Sequence, residues 1–173
     1  MHTKTYNILA IIPGTKYLGV AIFVDTDLRD WYVKSIPNLS IKDKAEYVKE
    51  FIGGLIDHFN INILAMKKLH EARQSRNLSE LVSKIKEAQK KLNIRVKEYP
   101  LQTIEQSLVQ GKQNKRKLVD EVAQLYPVII HEHEREKKNK SRYLTRMFEA
   151  IALGVVCFNQ ADKGDEKVAK KHS

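Results

Sequence analysis

The stretch that most constrains how this chain can fold is residues 7–24, NILAIIPGTKYLGVAIFV. Two nearly unbroken apolar runs flank a Pro13-Gly14-Thr15-Lys16 turn. Apolar runs without polar alternation suit strands covered on both faces, so this hairpin is expected in the middle of a sheet. Pro13 fixes φ and lacks an N–H, and Gly14 tolerates positive φ, so the pair predicts a tight reversal. Many hairpins share this pattern, and the physics of the turn names no function.

The rest of the chain supplies partners for that hairpin. Residues 30–36, DWYVKSI, read as a third strand in which Trp31 and Tyr32 are packing residues rather than base-stacking ones. Ser40 opens a helix, with Asp43 in a capping-box-like position and Val48, Ile52, Leu55, Ile56 and Phe59 as its apolar stripe. Residues 62–69, NILAMKKL, form a fourth, buried strand that turns basic at its exit. Asn77 with Glu80 marks another helix start, and Leu78, Leu81, Val82, Ile85, Ala88 and Leu92 carry that helix to Asn93. Residues 95–99, RVKEY, are a short fifth strand ended by Pro100. Strands joined by short turns can pair antiparallel, whereas strands separated by helices run parallel. The expectation is an α/β fold: a mixed five-stranded sheet with helices on both faces.

Composition bounds the function. A chain of 173 residues with 42% hydrophobic content supports one domain with a real core. Its net charge of +10 points to a polyanionic partner, nucleic acid first. The single cysteine, Cys157, lies in an apolar run, which excludes an internal disulfide and a zinc cluster. No stretch has transmembrane length and no signal peptide leads the chain, so no membrane partner and a cytoplasmic, reducing setting are expected.

The basic residues cluster beyond Pro100. Lys112, Lys115, Arg116 and Lys117 surround Gly111 just before a helix, and the free N–H groups of a helix start favour phosphate. The plainer reading is a solvated turn. His131-Glu132-His133-Glu134 alternates like a metal site, but two histidines at i, i+2 face the same way only in a strand. The cations that follow, Arg135, Lys137, Lys138, Lys140 and Arg142, would repel a divalent ion. This segment is expected to be an exposed charged loop whose basic half can touch a nucleic-acid backbone. A final helix, from Ser141 to about Asn159, presents Leu144, Met147, Phe148, Ile151, Ala152 and Val155 to the core.

Three motifs add a resemblance. Ala10-Ile11-x-Pro13-Gly14-Thr15-x-x-x-Gly19-x-Ala21 resembles the first motif of RuvC-like Holliday-junction resolvases, in the RNase H-like superfamily. Residues 99–122, YPLQTIEQSLVQGKQNKRKLVDEV, are similar to a second resolvase stretch, in which a Tyr, a Gly-containing loop and a Lys precede a helix along the DNA. Gly111 matches the loop glycine and Lys115 the backbone-contacting lysine, while Glu105 stands where the family has another Lys. Residues 146–154, RMFEAIALG, are similar to the last motif, where two acids three residues apart share a helix face. The resemblance covers residues 8–154 and implies an RNase H-like (RuvC-like) domain over residues 1–160, with residues 161–173 a flexible tail.

For activity, the resemblance implies four metal-binding acids, of which only Glu149 is retained. Ile12, Lys67 and Arg146 occupy the other positions. Two-metal hydrolysis needs several converging carboxylates, and cations repel Mg²⁺. No metal or other cofactor is therefore expected; Lys67 and Arg146 are expected to neutralise Glu149 and to face a phosphate backbone. The leading expectation is a catalytically degenerate protein, a pseudo-nuclease, binding branched or structured nucleic acid, DNA before RNA, through Lys67, Lys112, Lys115, Arg116, Lys117 and Arg146. The rival is an active Mg²⁺-dependent, structure-specific endonuclease with a displaced acid set, drawn from Asp25, Glu71 or Glu98. A third reading is an interaction module that pairs with an active homologue. The resemblance also suggests a homodimer.

Overall fold

The computed structural model of the chain describes residues 5–70, 75–139 and 142–171. Its elements are β1 (Asn7–Ile12), β2 (Tyr17–Val24), β3 (Asp27–Ser35), α1 (Ile41–Phe59), β4 (Ile63–Lys68), α2 (Arg76–Lys91) and β5 (Arg95–Pro100). Then come α3 (Leu101–Leu108), α4 (Lys115–Leu125), a short 3-10 turn at Pro127–Ile129, α5 (Ile130–Asn139) and α6 (Arg142–Lys171). The strands form one five-stranded sheet in the order β3-β2-β1-β4-β5. The β1–β2 and β2–β3 pairs are antiparallel; β1–β4 and β4–β5 are parallel. This is the mixed α/β sheet that the sequence predicts, with the hairpin in its interior.

Alternation along the buried strands divides two cores. Leu9, Ile11, Leu18, Val20, Ile22, Leu64 and Met66 pack with the apolar stripes of α1 and α2. Their neighbours Ile8, Ala10, Ile12, Ala21, Phe23, Ile63 and Ala65 pack on the other face with α3, α4 and α6. Because side chains alternate at a period of two, each of these strands serves both cores and has no polar face to spare. The edge strand β3 divides its aromatics the same way. Trp31 joins the α6 side and Tyr32 the α1 side, where its ring meets Phe51 at 6.4 Å, so both are packing residues as expected.

The α6 side is built for close approach. A Cβ on Gly19 would run into the backbone carbonyl of Arg146, and one on Gly154 would overlap the Phe23 ring. Gly14 has a related role. Its φ is not positive, contrary to the turn expected from sequence; it is needed because a Cβ there would collide with the Arg146 guanidinium and the Tyr17 carbonyl. Cys157 is buried in this core, and burial pushes its thiol up to about 11.

Other boundaries also differ from expectation. Strand β3 begins at Asp27 because Asp25, at φ 59, makes a tight turn directly after β2. Helix α2 is capped by Ser75, whose side chain accepts from the Leu78 N–H at 3.1 Å, not by Asn77. The Ser40 cap of α1 is as expected, accepting from the Asp43 N–H at 3.2 Å. Residues 130–139, expected as an exposed loop, are the helix α5. Helix α6 continues to Lys171 instead of ending near Asn159, while the expected start at Ser141 lies outside the described residues. Among the described residues, no helix is long and apolar enough to cross a membrane.

Two glycine substitutions should move stability in opposite directions. Gly19→Ala forces a methyl group against helix backbone, which cannot swing aside, and should destabilise by about 2–3 kcal/mol. Gly54→Ala, in exposed α1 with open space around its Cβ position, should stabilise by about 0.5–1 kcal/mol. Urea unfolding of both variants checks this; a Gly19→Ala protein as stable as the parent would show that α6 does not lie so close.

Candidate functional site

The end of the sheet at which β1 and β4 finish carries a cluster of cations and acids. Lys67 is the penultimate residue of β4 and, at a period of two from Ile63 and Ala65, shares their α6-facing side. Glu149 stands on α6 one turn beyond Arg146. Lys115 is the first residue of α4, behind Asn114, whose side chain accepts from the Lys117 N–H at 2.8 Å.

These three elements converge on one carboxylate. Lys67 Nζ lies 3.2 Å from Glu149 Oε2, and Lys115 Nζ lies 3.5 Å from Oε1. The Glu149 side chain is 4% exposed, against 24% for Lys67 and 60% for Lys115. A carboxylate this buried is tolerated only when compensated, and here each oxygen has its own ammonium. Arg146 was the other expected partner. It donates instead from Nη1 to the Tyr17 carbonyl at 3.0 Å and fills the space beside Gly14, so Lys115 takes its place on Glu149.

The next residue of α4 repeats the pattern. Arg116 Nη1 donates to Oε2 of Glu136, an acid on α5 that is only 5% exposed. Glu136, His133 and Ile129 sit at helical spacing and face inward together. His133 Nε2 is 2.8 Å from Asp120 Oδ1, with its ring edge toward Phe148, and Trp31 Nε1 donates to Glu132 Oε1 at 3.3 Å. The expected loop is therefore a helix fastened to α4 and to β3. Glu, Arg and Lys are strong helix formers, and the alternating His-Glu letters conceal a 3–4 period. Glu136 was missed for that reason: reading 129, 133 and 136 as one face would have found it.

Between these elements is a cleft of about 660 Å³. Ile12, Pro13, Leu69, Leu78 and Val119 give it apolar walls; Lys67, Lys115, Arg116 and Arg146 stand around Glu149 and Glu136. Among the described residues, four cations thus line the cleft with two carboxylates. Lys112 and Lys117 are exposed on the preceding loop and the first turn of α4, outside the lining, and Gly111 turns that loop at φ 80. The acids proposed for a displaced catalytic set do not gather here. Asp25 is at the opposite end of the sheet, beyond Val24, and Glu98 is held by Lys86. Glu71 lies outside the described residues. Among the described residues, no three His, Cys, Asp or Glu side chains come together in a group that could hold a metal ion.

An interior hairpin, two parallel strands beyond it and a long helix across the hairpin make up a mixed α/β sheet of the RNase H-like kind. Solved structures agree. Thermus thermophilus RuvC in complex with a Holliday junction substrate is similar over 90% of this chain and 95% of its own, with a TM-score of 0.69 at 15% identity. The yeast mitochondrial Holliday junction resolvase Ydc2 is similar over 100% and 87%, with a TM-score of 0.63 at 14% identity. The fowlpox virus resolvase, in complex with Holliday junction DNA, covers 90% and 98% with a TM-score of 0.55 at 13% identity. No protein-family model matches the chain, and no curated protein matches its sequence.

The ion pairs around Glu149 should be unequal. Lys67→Met removes the more buried cation and should destabilise by about 2–4 kcal/mol, less than full burial would demand because water reaches Lys67. Lys115→Met should cost under about 1 kcal/mol, as for exposed pairs. Adding Glu149→Gln to Lys67→Met should recover part of the loss, because the uncompensated charge goes with it. Denaturant titrations of the single and double variants test this; strictly additive losses would rule out the pair as the source.

Proposed function

We propose that this chain is a RuvC-fold protein that binds branched or structured nucleic acid, DNA in particular, through the cationic end of its sheet, and that it performs no metal-dependent cleavage. The observation that carries the reading is the double pairing of buried Glu149 with Lys67 and Lys115. The retained acid of the resolvase resemblance is compensated by the protein's own ammonium groups. A divalent ion does not fit there: the Ile12 side chain offers no donor atom, and the Lys67 ammonium already lies against the carboxylate that would have to hold the ion. Two-metal hydrolysis needs several converging carboxylates, and among the described residues only Glu149 and Glu136 line this cleft, each already paired with a cation.

Binding is a different matter, because the same residues suit phosphate. Lys115 is more than half exposed while it touches Glu149, so its ammonium can serve a carboxylate and a backbone phosphate together. Lys112 and Lys117 extend the cationic surface along the α4 edge. Arg116, drawn to Glu136, acts first as a fastener of α4 to α5. The T. thermophilus and fowlpox proteins of similar fold were solved with Holliday junction DNA, which favours a branched partner here.

Fluorescence anisotropy with a labelled four-way DNA junction tests the reading. Binding should persist in EDTA and weaken steeply between 50 and 200 mM salt, as expected on the order of several phosphate contacts. Changing Lys112, Lys115 and Lys117 together to Gln should lower the slope of log K against log salt by roughly 2–3 units. Millimolar Mg²⁺ should leave the melting temperature unchanged, whereas a filled metal site would raise it. Junction cleavage in Mg²⁺ or Mn²⁺ that disappears in Glu149→Gln would overturn the proposal in favour of an active nuclease.

A further inference from the structure

A second cationic depression lies on the other face of the same sheet end. It is an open cavity of about 410 Å³ lined by Lys16, Tyr17, Ser35, Ile36, Asn38 and Lys44. The strand ladder builds it: Tyr17 opens β2 opposite Ser35, the last residue of β3, and the Ile36 N–H donates to the Lys16 carbonyl at 2.8 Å. Ile36 is buried in the α1 core and forms the apolar floor. Lys44, in the first turn of α1, donates from Nζ to the Thr15 carbonyl at 3.0 Å, which holds its ammonium against the β1–β2 turn.

The polar lining differs in kind from that of the first cleft. Lys16, Lys44, Tyr17, Ser35 and Asn38 supply its polar lining, and among the described residues no carboxylate lines it; Asp43, on the same turn of α1, is exposed outside it. A concavity that offers donors and positive charge without an internal acid is complementary to an oxyanion. The two cationic sites also share a wall. Lys44 is hooked to the Thr15 carbonyl and Arg146 to the Tyr17 carbonyl, and two residues span at most about 7 Å of chain. The turn is thus a narrow ridge with Lys16 and Lys44 on its α1 side, and Arg146, Lys67 and Lys115 on its α6 side.

We infer that the depression of Lys16 and Lys44 is a second phosphate-binding site, which takes the sugar–phosphate backbone of a second arm of a branched nucleic acid lying across the ridge. This rests on the nucleic-acid reading above and deepens it, because it states why a branched partner is preferred. A straight duplex laid along the α4 edge leaves the depression behind the ridge; two diverging arms reach both sides.

The test compares the parent protein with Lys16→Gln/Lys44→Gln on a labelled four-way DNA junction and on a linear duplex of the same length, between 50 and 200 mM KCl. The Gln variant should lose about 2 units of salt slope on the junction, on the order of one per phosphate contact, and keep its slope on the duplex. Lys16→Arg/Lys44→Arg should retain the junction slope, which separates charge from folding, and melting curves of each variant check that the α1 contact survives. An unchanged junction slope in the Gln variant, with parent binding intact, overturns the second site and leaves the proposed function standing. Equal losses on junction and duplex overturn the two-arm geometry. A parent protein that binds neither DNA overturns both readings.

Discussion

Helix α6 can lie this close to the sheet because small residues stand among the large ones beneath it. Ala10, Gly19, Ala21 and Ala65 form its bed, and Gly154 returns the accommodation by admitting the Phe23 ring. Close packing of this kind fixes both the height and the rotation of a helix, since a shift of a few tenths of an ångström meets backbone instead of a yielding side chain. The arrangement at the charged end of the sheet follows from it. Arg146 arrives at the β1–β2 turn, and Glu149, one turn on, arrives within reach of β4 and α4.

The electrostatic arrangement is hierarchical. Buried Glu149 and Glu136 attract the consecutive residues Lys115 and Arg116, so the first turn of α4 is fastened to α6 by one pair and to α5 by the other. The loop before α4, with Gly111 at positive φ, can then project Lys112 outward from a fixed base. Fixed charge at the root and flexible lysine stems at the rim are what the proposed binding of a branched polyanion would call on, because flexible stems adjust while the scaffold does not.

Much of the fold was legible because its signals are local. The unbroken apolar runs of β1 and β2, the Ser40 cap and the 3–4 stripes of α1 and α2 each report a structure made by neighbouring residues. The end of the sheet was legible in composition but not in pairing. Lys67 with Glu149 could be anticipated from two motifs, yet Lys115 displaced Arg146 on that acid because the Tyr17 carbonyl, 129 residues away in sequence, is the nearer acceptor for the guanidinium. The helix α5 was hidden for another reason. Its inward face is polar, so the periodicity that reveals ordinary helices was carried by His133 and Glu136 instead of by apolar residues. Lys16 and Lys44 gave no signal at all, since a turn lysine and a helix lysine meet only once the sheet is assembled.

The seat of Arg146 has a structural consequence as well. Its guanidinium supplies the donor for the Tyr17 carbonyl and fills the space that Gly14 leaves. A shorter acidic side chain at this position would leave that carbonyl without its donor and a void beside the turn, so its first effect would fall on the fold and not on chemistry. Arg146 is thus part of the structure of the hairpin tip, and an acid placed there would have to be accommodated by other changes around the turn.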